Sequence, residues 1–325
     1  MIERWVNFWN HREPPTVMAL LRICLALVFL WELFELWHLG LVEPLYAPRA
    51  GGGIGDPVGR HDWLYQQLPN HAMTAWILFV PLVLLTIMFG VGFLTRFSAV
   101  ALVILYAEMN DAIPVADRSV DALLRNMTLL LAFSQCHRCW SVDAKIRTGS
   151  WHGDGKEYPN WCRYLVILQL ITLYFIAGIS KMSYTWLPTG NWSALYLSMR
   201  DPAYALLPPS LLKSLYPMTQ VLTEVTLFWE WGSPLLLLAL YFRNTPTKAG
   251  RLRAIFNRIN FVWIYLGIGI AFHFGCMVAL NLGIFPHVTL CLYVAFLRPA
   301  ELQQLSRFLT RWVSQKQRPV VSQQG

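Results

Sequence analysis

The chain has 325 residues, 56% hydrophobic and 14% charged, with 26 Lys and Arg against 18 Asp and Glu for a formal net charge of +8. So apolar a composition excludes a water-soluble globule of ordinary surface chemistry. The basic excess does not mark nucleic acid as a partner, because it is spread over the loops on one side of successive apolar runs, which is a topology signal.

Met1 to Pro15 is polar, and the first apolar run, Thr16 to Leu39, is long enough to span, so no cleavable signal peptide is expected. This run carries Arg22, expected to pair with a carboxylate, and in its outer half Glu32 and Glu35, which share a helix face and suit the interface. The following outer loop holds Gly51-Gly52-Gly53-Ile54-Gly55 ahead of Asp56-Pro57. It lacks the lysine and strand-to-helix context of a phosphate loop and reads as a lid or plain linker.

Further apolar runs follow at Ala72 to Phe93, Phe97 to Met109 and Val120 to Phe133. The last is interrupted by Asp121 and Arg125, four apart and so able to pair on one face. The inner loop "SQCHRCWSVD" contains a CxxC, Cys136 and Cys139. Zinc would need two more ligands, for which His137, His152 and Cys162 are only loosely available, and a thioredoxin-like setting is missing, so no metal is expected. The six cysteines lie in apolar runs or this inner loop, and none asks for an oxidising compartment.

The fifth run, Tyr164 to Ser180, ends at Lys181. Two readings of that lysine stand: snorkelling to the headgroups, or enclosure among Ala177, Gly178, Ser180, Tyr184 and Trp186, where it would lose hydration and could serve as a base. The outer loop from Lys181 to Pro217 carries Trp186, Trp192, Tyr196 and Tyr204, which suit a headgroup level, and Pro208-Pro209, which forbids one continuous helix. A sixth run, Met218 to Tyr241, admits Glu224 at its start and Glu230 near mid-depth. The seventh, Phe261 to Leu282, contains His273, read either as a buried neutral ring bonded to a carbonyl or as a proton relay. The eighth is Phe285 to Leu297.

The fold class expected is therefore all-α: a polytopic membrane bundle of about eight helices. An N-terminus inside puts 18 of the 26 basic residues in inner segments, six outside and two within spans, so both termini are expected in the cytoplasm. The membrane domain runs over residues 1–298. Residues 299–325 read as an amphipathic tail on the inner surface, with Leu302, Leu305, Phe308, Leu309 and Trp312 at helical spacing beside Arg307 and Arg311.

Three segments carry a resemblance. "QLITLYFIAGISKMSYTWLPTG", Gln169 to Gly190, looks like the lysine-bearing helix of vitamin K-dependent gamma-carboxylases; "WSVDA", Trp140 to Ala144, resembles their inner-loop segment; and "FHFGCMVALNLGIFPHVTL", Phe272 to Leu290, is similar to their histidine-bearing late helix. With the helix order, this identifies the chain as a member of the HTTM (horizontally transferred transmembrane) domain family, which also occurs in bacterial membrane proteins.

The resemblance implies an outer-side pocket in which Lys181 is the catalytic base toward a reduced quinone of the vitamin K or menaquinol type, in a lyase or quinol-epoxidase reaction. Pocket candidates are Arg125, Asn126, Asp121, Glu224, His273 and Trp186. Where the carboxylases carry an asparagine and histidine pair, this chain has Arg125 and Asn126. The carboxylases also continue into a large outer domain that holds the protein substrate, so carboxylation here would need a soluble or peptide-binding partner. The expected setting is a bacterial inner (cytoplasmic) membrane. Two other readings stand beside this one: a partner-dependent maturation or export factor for a secreted peptide, without redox chemistry, and a small-molecule transporter, which fits least because the sequence shows neither inverted repeats nor paired broken helices.

Overall fold

In a computed structural model, described for residues 6, 9–55, 64–113, 118–305 and 307, helix occupies every one of the eight apolar segments. The membrane helices begin with α1 (Thr16–His38). After a short α2 (Val42–Tyr46) come α3 (Met73–Val91), α4 (Thr95–Asp111) and α5 (Ser119–Phe133). The loop after α5 forms α6 (Val142–Thr148), α7 is Trp161–Ser180, and the loop after it folds into α8 (Ala194–Arg200). The remainder is α9 (Pro209–Trp231), α10 (Leu235–Asn244), α11 (Arg251–Arg258), α12 (Phe261–Ala279) and α13 (Phe285–Leu292), the last running into a 3-10 turn over Tyr293–Phe296.

Four of these, α1, α3, α7 and α12, are long and apolar enough to cross a membrane, and α9 with α10 makes a fifth as a bent pair. At about 1.5 Å per residue, 20 residues reach about 30 Å, the thickness of a hydrocarbon core. Their outward faces carry Leu27, Phe34, Ile77, Leu84, Ile176, Ile264 and Phe274, all exposed. In water such a surface would aggregate, whereas lipid solvates it. The protein is an integral membrane helix bundle.

The core forms around α1, which packs against α3, α5 and α13. Leu21, Leu25, Phe29 and Leu33, each four apart, are all buried on that shared face. Across the bundle a two-residue antiparallel ladder pairs β1 (Arg12–Glu13) with β2 (Tyr158–Pro159), tying the chain before α1 to the segment before α7.

Two sequence expectations change. Met218 to Tyr241 is not one straight helix: α9 starts nine residues earlier, at Pro209, and meets α10 at a 57° bend across Gly232-Ser233-Pro234. Pro209 suits a first helical turn because its missing N–H has no partner there to lose. Pro234 cannot donate back into α9, and Ser233 Oγ instead donates to Ile171 O of α7 at 3.0 Å. The glycine run at 51–55 is no slack linker either, since Ile54 N donates to Pro44 O and Gly55 N to Ala47 O, both at 2.9 Å, folding it back on α2. Asp56 and Pro57 lie outside the described residues.

Of the tail, residues 299–305 are helical, with Leu302 buried and Leu305 exposed. Phe308, Leu309, Arg311 and Trp312 lie outside the described residues.

Candidate functional site

Tyr174, Gly178 and Lys181 lie four and three residues apart, so they follow one face of α7 to its end. At Gly178 a Cβ would sit 2.6 Å from Trp231 Cδ1 and 3.1 Å from Trp231 N. Only glycine lets the end of α9 come this close to α7. That approach brings Glu230 to Lys181, whose ammonium donates to Glu230 Oε2 at 2.6 Å, to Oε1 at 2.8 Å and to Ala177 O at 3.3 Å. The Trp186 ring centroid lies 5.4 Å from Nζ. The lysine side chain is 23% exposed and the glutamate 5%. A cation at a helix C-terminus also faces the negative end of the helix dipole.

Lys181 therefore reaches across to a carboxylate of α9. Glu230, expected near mid-depth, sits level with the end of α7 because the helix carrying it starts at Pro209, nine residues before the expected run. It was not among the pocket candidates, although a carboxylate inside an apolar run was a signal for it.

A second cluster lies one face further in. His273 is fully buried; its Nε2 is 2.8 Å from Tyr174 Oη and its Nδ1 is 3.1 Å from Thr289 Oγ1. Tyr174 Oη is also 2.8 Å from Tyr293 Oη. The partners of this histidine are thus hydroxyls and not a carbonyl. One proton arrangement satisfies all four groups: Thr289 donates to Phe285 O and accepts from His273 Nδ1, while Tyr293 donates to Tyr174 and Tyr174 to Nε2. Trp229 packs on Tyr174 with ring centroids 4.5 Å apart and stacks on Tyr265 at 5.1 Å. Gly269 makes room for both neighbours, since a Cβ there would be 2.0 Å from Tyr293 Oη and 2.7 Å from Trp229 Cζ2.

The remaining candidates are elsewhere. Asp121 is buried in the first turn of α5. Arg118, at the N-cap of α5, holds it through Nε at 2.9 Å and the backbone N–H at 2.8 Å, and Tyr106 donates a third bond at 2.7 Å. The same guanidinium reaches Glu32 at 2.6 Å, so Arg118 joins α1 to α5. The N-cap residue thus gives Asp121 a backbone donor as well as its guanidinium. Arg125 is half-buried, and Asn126 and Glu224 are exposed.

The residues of the loop between α5 and α7 serve architecture. Arg22, fully buried, donates to Cys136 O at 2.7 Å and Trp140 O at 2.5 Å, so its partners are carbonyls instead of the carboxylate expected. Ser141 Oγ accepts from Ala144 N, and Asp143 accepts from Leu94 N, Thr95 N and Thr95 Oγ1 at 2.7–2.9 Å, capping α4 from this loop. Although partial burial opposes it, these bonds hold the Asp143 carboxyl below its usual range. Burial, and then Arg96 and Arg138, push His137 down to about 4. Cys136 and Cys139 are buried free thiols, and burial pushes Cys139 up to about 12. Among the described residues no three His, Cys, Asp or Glu side chains gather as a metal site.

Between α8, α9 and α12 lies an apolar groove of about 700 Å³ whose walls include Met199, Leu222, Trp229, Phe272 and Cys276. Trp229 belongs to both the groove wall and the ring stack on Tyr174.

A family model described as HTTM domain matches residues 10–300. No curated protein and no solved structure matches the chain.

Proposed function

Starting from a chain that belongs to the HTTM domain family, we propose a multi-pass protein of eight spans with both termini in the cytoplasm of a bacterial cell, carrying an outer-face pocket around Lys181 for quinol- and oxygen-dependent proton chemistry. The inner-surface tail after residue 298 is part of this reading. The observation that carries it is the approach of Lys181 Nζ to both oxygens of Glu230.

A paired lysine is a poor base alone, because its nitrogen holds a proton already. Together the two groups can accept one: Nζ passes its proton to Glu230 Oε2 and takes another from a hydroxyl presented at the same nitrogen. The pair gains one proton and one positive charge, and Trp186, facing Nζ, favours that charge through its ring. The residues fit an isoprenoid quinol: the groove lined by Trp229, Leu222 and Phe272 offers an apolar channel for a tail. When bound, a hydroquinone would supply an acidic hydroxyl and reducing equivalents.

The test is purified protein in lipid with reduced menaquinone or vitamin K and oxygen, following quinone epoxide by chromatography. Wild type should form it, while Lys181→Arg, which keeps the cation but cannot relay at neutral pH, and Glu230→Gln should not. Absence of epoxide from wild type would end the redox reading.

A second reading, a partner-dependent maturation or export factor for a secreted peptide, is favoured by a different observation. Glu230 already neutralises Lys181, as a purely structural tie would, and the outer loop exposes Tyr184, Tyr204 and Leu206 as an apolar contact surface. Epoxide formation separates the two.

A further inference from the structure

At the opposite end of α7 from Lys181, a cavity of about 650 Å³ opens between α7 and α10. One end is lined by Arg163, Arg243 and Arg298, and among the described residues no Asp or Glu lines it. The other is aliphatic, with Ile167, Leu168, Leu237 and Leu240. Leu168 and Leu237 are exposed on the bundle's outer surface, so the aliphatic end opens toward lipid.

The charges do not balance internally. Arg163 bonds Glu13 and Ala295 O, and Arg243 bonds Glu301 and Phe296 O. The other oxygen of Glu301 accepts from the backbone N–H of Arg298 at 2.8 Å. Three guanidiniums thus face two carboxylates, and Arg298 Nε is buried with no hydrogen-bond partner among the described residues. Burial, with Arg243 and Arg163 nearby, holds the Arg298 pKa below its ordinary value, as expected where positive charge is in excess. A buried donor left unbonded is costly, and the natural remedy is an anion that can bond several guanidinium N–H groups at once.

We propose that this cavity binds the phosphate of an anionic phospholipid, with Arg298 as a principal donor and an acyl chain lying along Leu168 and Leu237. The aliphatic wall favours a lipid over free phosphate, because a soluble anion would leave that surface unfilled. A basic pocket between the ends of membrane helices is also a setting for such headgroups. This inference does not depend on the chemistry proposed for Lys181, which lies about 30 Å away along α7.

Native mass spectrometry of the full chain would test it, with palmitoyl-oleoyl phosphatidylglycerol titrated against the phosphatidylcholine analogue. Wild type should retain one phosphatidylglycerol with clear preference. Arg298→Gln should weaken that binding about tenfold, the lower end for a charge-assisted hydrogen bond, with phosphatidylcholine binding unchanged as a check on folding. Arg251→Gln makes the same change in net charge on exposed α11, away from the cavity, and should leave the preference intact. Lack of preference in wild type, or an equal loss in both variants, would overturn the proposal. Displacement of the lipid by millimolar inorganic phosphate would also overturn it, in favour of a soluble-anion site.

Discussion

The two partners of the Lys181–Glu230 pair should respond unequally to mutation. Lys181→Met removes bonds of 2.6 and 2.8 Å from a carboxylate only 5% exposed and leaves it as a buried charge without its cation. Breaking a buried pair in this way costs about 3–5 kcal/mol. Glu230→Gln keeps the shape and leaves an ammonium that is 23% exposed and still donates to Ala177 O. It can recover hydration, so the cost should be about 1–3 kcal/mol. The double variant Lys181→Met/Glu230→Gln removes both charges and should be milder than the sum by about 2 kcal/mol or more. Equilibrium unfolding in mixed micelles on titration with sodium dodecyl sulfate would give all four corners of the cycle. Equal costs below about 1 kcal/mol that add without coupling would refute the reasoning and mark the pair as a solvent-screened contact.

Gly178→Ala should destabilise by about 1–3 kcal/mol, because the new methyl meets Trp231 at 2.6 Å and overpacks the α7–α9 crossing; the same titration reads it. Tyr174→Phe strips a partner from both His273 and Tyr293 and should cost about 1–3 kcal/mol, with His273→Phe in the same background adding less than it does alone. Asp143→Ala removes the cap on α4 and should cost about 1–2 kcal/mol at neutral pH. Because the folded pKa of Asp143 is lowered, its contribution is fully present above the unfolded value near 4 and is lost as pH falls through the lower folded value, so wild type and Asp143→Ala should converge in stability in acid below about pH 4.

Apolar runs bounded by turn residues carry their own ends, and α1, α3 and α12 are legible from them to within three residues. The α9–α10 bend was harder, because hydropathy stays high from Met218 to Tyr241 and averages over Gly232-Ser233-Pro234, where the break signal resides. Lys181 stood out because a charge at the end of an apolar run is unusual. Glu230 is 49 residues away, and only the crossing at Gly178 pairs the two. Asp121 shows another limit: helical spacing points forward to Arg125, whereas Arg118 reaches it from the N-cap, with a backbone N–H along with its side chain, by a geometry that face-sharing does not indicate.

The bend at Gly232-Ser233-Pro234 divides α9 into a still end and a sweeping one. Glu230 is two residues from the joint, whereas Pro209 is more than 30 Å from it along the axis, taking about 1.5 Å per residue. A swivel of about 10° would therefore displace the glutamate by roughly half an ångström and the Pro209 end by about 6 Å. Such a lever would let the groove widen at its Leu207–Leu211 end while the lysine keeps its carboxylate within bonding distance.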